Sequence, residues 1–227
     1  MASWFLGIET SGAATGVAVL LEDRVVHETV LPGICHNEVL PGLIAGALAG
    51  SGLTAGGLAG IGVTIGPGMF TSLRVGLAAA KGLALPHAIR LKGVNTLRAL
   101  AAGAGEAGLP VLALVDARKH EVYAALYQGG RTLLEPGVFS PARLAARLGP
   151  LLTGPALLAG DGVEPALPAL LQLGVELRPT GIERPLPRVI AAIARDELAA
   201  GRADDVETLE PVYLRRTDAE LNREKKA

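Results

Sequence analysis

The 227-residue sequence contains a single cysteine, Cys35, and only 3% aromatic residues. One cysteine cannot form an intrachain disulfide, which favours a reducing compartment. Because aromatics are scarce, Ala, Leu, Val and Gly must build the interior, and this favours close packing of helices and strands. The formal net charge of −1 provides no overall basic field for nucleic acid or an anionic membrane. We therefore do not expect a free-standing RNA-binding module.

The chain also begins without the basic segment and small-residue cleavage site of a signal peptide, since the strand-like Trp4–Ile8 starts at once. Gly and Pro interrupt the long apolar runs, so no membrane span is predicted. From these two absences we expect a cytoplasmic protein with no membrane partner.

Two parts of the sequence share the order strand, short loop with an acidic residue, strand, tight turn and strand. WFLGIE, TGVAVLL and RVVHETV form the first set, and VLALVDA, EVYAALY and RTLLEPGV form the second. Helical segments follow both sets, which predicts a duplicated α/β architecture with lobes at residues 1–105 and 106–215. A chance likeness between two α/β stretches is the alternative. Residues 216–227 are predicted to be a charged, flexible tail.

The stretch GPGMFTSLRVGLAAAKG, residues 66–82, has the form of a phosphate-binding loop that leads into a helix. A Walker A loop requires G-x-x-x-x-G-K-[ST], which no segment supplies. A Rossmann fingerprint fails because Thr71 occupies the place of the third glycine. It fails again because no acidic residue occurs between Glu38 and Glu106 to bind a ribose.

Duplicated meanders also occur in the sugar kinase, Hsp70 and actin type of ATPase, in which each meander contributes a phosphate loop. The first candidate loop contains Glu9, Thr10 and Ser11 and has suitable small and hydroxyl residues. The second, DARKHEV at 116–122, has no glycine to permit close backbone approach to a triphosphate. Asp116 alone is a poor magnesium site. We interpret both loops as degenerate and predict no cofactor.

Metal and covalent catalysis have no clear residue set. The histidines are His27, His36, His87 and His120, and no two of them are three or four residues apart. The adjacent Cys35 is not interpreted as a nucleophile paired with His36, because neighbouring side chains diverge. No G-x-S-x-G elbow is present. We predict neither a metal site nor a catalytic residue.

No charged residue occurs between Glu38 and Arg74, and the helix predicted around residues 39–49 is apolar or small on every side. A helix without a polar face is either buried all round or covered by a partner. The helix that follows residue 70 is also rich in Gly and Ala. We therefore predict a helix-to-helix protein interface, with ordinary packing on the protein's own sheet as the alternative. A structural turn would set the angle of the second helix: Gly66, Pro67 and Gly68.

The same residues resemble a known family. GPGMFTSLRVGLAAAKGLA is similar to the signature of the bacterial tRNA threonylcarbamoyladenosine biosynthesis protein TsaB, a YeaZ-like family of the TsaD/Kae-type glycoprotease-like superfamily. Further segments resemble that family in its order, from residue 6 to residue 215: LGIETS, HNEVLPGL, GVNTLRALA, DARKHEVYAALY and EPVYLR. Met69, Ser72 and Glu9 depart from the usual Ser, Gly and Asp.

The resemblance implies a reduced, two-lobed actin-like ATPase fold, related to RNase H, and a non-catalytic scaffold or activator subunit. In this family the subunit pairs with TsaD, a larger catalytic paralogue, and with TsaE, a small ATPase. The complex transfers a threonylcarbamoyl group to the adenosine adjacent to the anticodon in tRNAs that read A-starting codons. The resemblance also implies tRNA contact only through the complex, and a homodimer when TsaD is missing. Leu40 stands where a second metal-binding histidine would follow His36.

Carried over residue by residue, the resemblance implies a partner interface on the first lobe: His36, Leu40, Leu43, Ile44, Ala47, Leu73, Leu77, Ala80 and Lys81. Two alternatives remain at this point, a stand-alone ATP-dependent small-molecule kinase of the same fold and a metallopeptidase. ATP hydrolysis by the isolated chain would indicate the first, and bound metal would indicate the second.

Overall fold

The structure contains two five-stranded sheets of equivalent connectivity. It is a computed structural model that describes residues 3–33, 35–105 and 108–215. The predicted tail at 216–227 lies outside the described residues. The strands are β1 (Trp4–Glu9), β2 (Ala14–Leu21), β3 (Arg24–Pro32), β4 (Leu58–Gly66), β5 (Arg90–Asn95), β6 (Val111–Arg118), β7 (Glu121–Gln128), β8 (Arg131–Phe139), β9 (Ala156–Ala159) and β10 (Leu177–Pro179). The helices are α1 (His36–Gly50), α2 (Phe70–His87), α3 (Thr96–Gly103), α4 (Pro141–Leu148), α5 (Val163–Leu170) and α6 (Pro187–Ala199).

The first sheet has the strand order β3-β2-β1-β4-β5 and the second has the order β10-β9-β6-β7-β8. In each sheet the first three strands along the chain form an antiparallel meander. The next strand pairs in parallel with the first strand of that meander, and the last strand pairs in parallel with this added strand. The predicted duplicated α/β fold is therefore confirmed, and the two sheets have equivalent strand orders.

Helices cover both faces of the first sheet, which explains why β1 is apolar up to Glu9 and β4 is apolar apart from Thr64. Leu6 and Ile8 of β1 belong to the cluster that α1 and α2 complete on one face. Phe5 of β1 packs with Ala191 and Leu198 of α6 on the other face. Successive side chains of a strand point to opposite faces, so β1 alternates between these two layers.

The lobes exchange a helix at the predicted boundary of residue 105. Helix α3 precedes that boundary, yet Leu97 and Leu100 pack with Val111 and Ala113 of the second sheet. Helix α6 follows it, yet packs on strands of the first sheet. The predicted lobe boundaries are therefore corrected for two helices. Helix α3 packs on the second sheet although it precedes residue 105, and α6 packs on the first sheet although it lies within residues 106–215.

Helix α6 lies close to the backbone of the first sheet because glycines line the sheet beneath it. A Cβ added to Gly7 would overlap the carbonyl oxygen of Pro187. A Cβ added to Gly62 would lie 2.7 Å from the carbonyl oxygen of Ile190 and 2.7 Å from the Cβ of Ala194. Real Cβ atoms do not approach other atoms so closely, and the glycines therefore set the distance between sheet and helix.

The two exchanged helices are joined by a charged cluster. Glu197 of α6 accepts a hydrogen bond at 2.8 Å from Arg98 of α3 and one at 2.7 Å from Arg202. Hydrogen bonds from Arg202 and Arg98 lower the pKa of Glu197 to about 2, although Glu197 is buried.

None of the described helices combines the length and apolar character needed to cross a bilayer.

We expect Gly62→Ala to destabilise the protein by about 1–3 kcal/mol, because the added methyl group overpacks the contact with α6. Gly82→Ala is the matched control. Gly82 lies within α2, and an added Cβ would meet no atom within 4 Å. Ala is more favourable than Gly in a helix by up to about 1 kcal/mol, so this control should not be destabilised. Urea unfolding of both variants checks this expectation. Equal stability of the two would contradict close packing of α6.

Candidate functional site: the inter-lobe cleft and the first-lobe helices

The loop after β1 directs its polar groups inward. The backbone N–H and the hydroxyl of Ser11 donate to Oε1 of Glu9 at 2.7 Å and 2.5 Å. Burial raises the pKa of Glu9 from its ordinary value of 4.5 to about 7, against the lowering effect of the Ser11 hydrogen bonds. Oε2 of Glu9 and Oγ1 of Thr10 have no partner among the described residues. This loop therefore presents a buried acid that is mostly protonated only below about pH 7, and the hydroxyl and backbone N–H of Ser11 are directed to that acid.

The Gly-Pro-Gly turn between β4 and α2 packs against the same loop. The backbone N–H of Met69 donates to the carbonyl oxygen of Ser11 at 2.8 Å. A Cβ on Gly68 would lie 2.9 Å from the Cβ of Ser11, and a Cβ on Gly76 would overlap Oγ1 of Thr10. The glycines of this segment are thus needed for close contact between α2 and the first loop.

The second loop uses its acid to hold its own turn. Asp116 accepts hydrogen bonds from the backbone N–H of Arg118 at 2.7 Å and from its guanidinium at 2.9 Å. Arg118, Lys119 and His120 all have left-handed backbone conformations, with φ of 61°, 55° and 60°. Such angles are unfavourable for residues other than glycine. The carboxylate of Asp116 therefore stabilises the conformation of its own hairpin.

A cavity of about 90 Å³ lies where the two lobes meet, lined among others by Ser11, Thr96, Asp161, Glu183 and Arg184. Small-molecule sites commonly have volumes of about 300–1,000 Å³, so this cavity is too small for a nucleotide. The charged residues of the lining are two acids, Asp161 and Glu183, and one base, Arg184. The segment before α6 thus occupies part of the space between the lobes.

His36 links the start of α1 to β2 inside the first lobe. Its Nδ1 lies 2.7 Å from the hydroxyl oxygen of Thr15, and only 2% of the residue is exposed. Burial lowers the pKa of His36, which favours the neutral ring. Over the described ranges, no three His, Cys, Asp or Glu residues are grouped so that they could hold a metal ion.

Most of the side chains predicted to form the partner interface lie in the core. Each of the following is at most 5% exposed: His36, Leu40, Ile44, Ala47, Leu73, Leu77 and Ala80. All seven belong to α1 or α2, and both helices pack on the first sheet. The prediction is corrected for these seven, because a side chain buried in the monomer is not available to a partner. The alternative, packing on the protein's own sheet, describes them.

The other two predicted interface residues are half-buried. Leu43 packs against the core cluster of the first lobe. The Lys81 ammonium group donates to the carbonyl oxygen of Glu207 at 3.0 Å. Both side chains therefore have contacts within the monomer, and only part of each is accessible to a partner.

Beyond the exposed Glu38 of α1 and Arg74 of α2, the outward faces of these helices carry mostly small, uncharged residues. These two adjacent faces form the helix surface: Gly42, Ala45, Gly46 and Ala49 of α1, and Ala78, Gly82 and Leu85 of α2. A Cβ added to Gly42, Gly46 or Gly82 would meet no atom within 4 Å. The residues of this face recur every three or four positions, but so do the buried ones, so the spacing alone does not distinguish the two faces.

The glycines of the helix surface leave space next to the helix backbone. A partner helix can approach α1 closely at Gly42 and Gly46, because no side chain separates the two backbones there. Exposed apolar surface without charge is typical of a protein contact site. The arrangement can therefore bind another helix by close packing.

The duplicated sheets and the exchanged helices define the class of actin-like ATPase folds. The ROK hexokinase from Thermus thermophilus has this fold, with a TM-score of 0.52, 15% identity, and coverage of 87% of this chain and 100% of that one. At this identity the likeness shows the fold alone. YeaZ from Pseudomonas aeruginosa is much more similar, with a TM-score of 0.80, 29% identity, and coverage of 93% of this chain and 100% of that one.

Sequence comparisons identify the family. The chain is 33% identical over 222 residues to the tRNA threonylcarbamoyladenosine biosynthesis protein TsaB of Escherichia coli strain K12, covering 92% of this chain and 94% of that protein. The sequence model of TsaD, tRNA N6-adenosine threonylcarbamoyltransferase, matches residues 30–161. The chain belongs to the TsaB family, as its resemblance to that family predicted.

We expect the stability of the protein to fall as the pH rises from about 4.5 to 7, because the folded state favours protonated Glu9. A raised carboxyl pKa contributes stability below the ordinary pKa, and this is lost as the pH passes the folded value. One pKa unit corresponds to about 1.4 kcal/mol, so the loss is on the order of 3 kcal/mol.

Glu9→Gln should abolish most of this pH dependence, because the amide is a neutral group of the same shape. Glu164→Gln, at an exposed position of α5, serves as the control. Urea unfolding at pH 5 and pH 8 measures the difference. If wild type and Glu9→Gln lost the same stability between these pH values, the assignment of a raised pKa to Glu9 would be incorrect.

Proposed function

We propose that this chain is the non-catalytic scaffold or activator subunit of a complex that transfers a threonylcarbamoyl group to tRNA. The acceptor is the adenosine adjacent to the anticodon in tRNAs that read A-starting codons. A TsaD-like paralogue supplies the catalytic residues, a TsaE-like ATPase joins the complex, and tRNA binds to the complex rather than to this chain alone. The relative in E. coli is named for threonylcarbamoyladenosine biosynthesis, and the TsaD family for the transferase itself.

The helix surface is the observation that carries this proposal. It consists of small and apolar residues without a charge, and it lies on two neighbouring helices. In water such a surface gains from being covered, and its glycines permit a partner helix to pack closely. A TsaD-like partner would cover it in the complex. A second copy of the chain would cover it when that partner is missing.

The geometry of the cleft also supports an accessory role over a stand-alone kinase. A kinase must hold the phosphates and magnesium between the lobes. Here Glu9 is buried on Ser11, Asp116 is bonded to Arg118, and the cavity between them has a volume of about 90 Å³. These contacts would have to be broken before a triphosphate could bind.

The proposal is tested by measuring threonylcarbamoyl transfer to tRNA by the cognate TsaD-like and TsaE-like proteins, with and without this chain. We expect transfer only when the chain is present. ATP hydrolysis by the chain alone is measured in parallel. Hydrolysis, together with transfer that does not depend on the chain, would refute the scaffold function and favour a kinase.

Ala45→Glu should weaken binding to the TsaD-like partner about 100-fold or more, because a carboxylate would be buried in the contact without a counter-charge. Ala45 is exposed on α1, so the stability of the monomer should change by less than about 0.5 kcal/mol. Leu43 is a poorer probe, since it packs against the core.

Ala146→Glu is the matched control, because Ala146 is an exposed alanine of α4 in the second lobe. Isothermal titration with the partner measures both affinities, and thermal melting checks the fold. Equal affinity of the two variants would place the partner elsewhere on the molecule.

A further inference from the structure

We propose that this chain contacts a single-stranded segment of the substrate tRNA at the mouth of the inter-lobe cleft. The RNA-contact patch comprises residues 70–74 at the start of α2, residues 116–121 at the β6–β7 hairpin, and residues 211–215 near the end of the described chain. This inference rests on the proposed function, since that function supplies the RNA. It adds a location on this chain, where the resemblance implied contact only through the complex.

The three segments meet because the chain after α6 crosses from one lobe to the other. The backbone N–H of Val212 donates to the carbonyl oxygen of Ile65 at 2.7 Å in the first lobe. Three residues later, the guanidinium of Arg215 donates to the carbonyl oxygen of Ala117 at 3.1 Å in the second lobe. Arg215 also pairs with Glu121 at 3.1 Å. The crossing therefore assembles one surface from both lobes.

Two aromatic rings and an arginine form the centre of the patch. The rings of Phe70 and Tyr213 are stacked, with centroids 4.9 Å apart and planes inclined by 29°. The Arg74 guanidinium carbon lies 3.8 Å from the centroid of Phe70, and its Nε donates to the hydroxyl of Tyr213 at 3.1 Å. Planar rings and guanidinium groups of this kind are the surfaces on which unpaired bases stack.

The centre of the patch is open to solvent although it is apolar. Phe70 is 37% exposed and Tyr213 is 39% exposed, and the neighbouring Met69 and Val212 are exposed to a similar extent. The protein has only 3% aromatic residues, and exposure of two of them at one place is costly unless a ligand covers them. An unpaired base has a flat face that can cover an exposed aromatic ring.

The charge of the patch is positive, in contrast to the whole chain. Cations exceed anions by four to two in the three segments: Arg74, Arg118, Lys119 and Arg215 against Asp116 and Glu121. The Arg118 side chain is 80% exposed even though it pairs with Asp116. A local excess of cations beside stacking rings is the combination that binds single-stranded nucleic acid. A peptide partner would not require both features.

The patch adjoins the proposed partner surface along α2. Arg74, Ala78, Gly82 and Leu85 are all exposed, and their spacing of three or four residues places them on one side of the helix. A partner bound to the helix surface would therefore lie next to Arg74. Single-stranded RNA that extends from the partner's active site could reach the patch without crossing the rest of the protein.

Binding of tRNA by the complex of this chain with its TsaD-like partner tests the inference. Fluorescence anisotropy is measured over a range of salt concentrations. Arg74→Gln should weaken tRNA binding about three- to tenfold and reduce the slope of log K against log salt by about 0.7, the value for one single-strand phosphate contact. Arg147→Gln, an exposed arginine of α4, gives the same charge change outside the patch and should have no effect.

A second pair of variants separates stacking from a merely structural role of Tyr213. Tyr213→Leu removes the ring and should weaken tRNA binding about fivefold or more, whereas Tyr213→Phe retains the ring and should bind tRNA as wild type does. Thermal melting and partner affinity are measured for both. A lower melting temperature with unchanged tRNA affinity would mean that the Tyr213 ring only stabilises the fold, and this result would refute the proposal.

Failure of this inference is distinguishable from failure of the proposed function. If wild type neither binds the TsaD-like partner nor supports transfer, the function itself is incorrect and the patch has no tRNA to bind. If wild type does both, but Arg74→Gln and Tyr213→Leu bind tRNA with unchanged affinity and salt slope, only the patch is refuted. Loss of partner affinity in these variants, with unchanged tRNA affinity of the assembled complex, would identify a protein contact instead.

Discussion

Close packing of α6 on the glycine-lined face of the first sheet is the contact on which the rest of the structure depends. It brings a helix that follows the second sheet back onto the first, while α3 passes in the opposite direction. The charged cluster around Glu197 joins the two helices. Because both lobes share these helices, their relative position is fixed by core packing. The narrow cleft and the crossing of the C-terminal segment follow from that position.

The face of the first sheet opposite α6 has a different role. Helices α1 and α2 bury their large side chains, such as Leu40 and Leu77, and turn glycine and alanine outward. In the cleft, by contrast, Glu9 and Asp116 are bonded within their own loops. In the proposed account, a fold common among ATPases presents a docking surface on its outside, while the residues between its lobes stabilise the protein.

The sequence predicts the duplicated fold because strand and turn patterns are local, and the resemblance to the TsaB family covers nearly the whole chain. It does not predict which side of α1 is buried, since Leu40 and Gly42 both suit an apolar contact and only the position of the sheet decides between them. It also cannot predict the exchange of α3 and α6, which depends on contacts distant in sequence. The meeting of Phe70 with Tyr213 depends on the same long-range packing. The interface residues carried over from the family resemblance therefore include side chains that the sheet buries.

The most direct measurement of the central claim is amide hydrogen exchange of this chain with and without its TsaD-like partner. We expect exchange to slow in α1 and α2, at residues 42–50 and 74–85, because the partner covers the outward faces of these helices. We expect little change in α4 and α5 of the second lobe. Slower exchange confined to the second lobe, with α1 and α2 unaffected, would contradict the account.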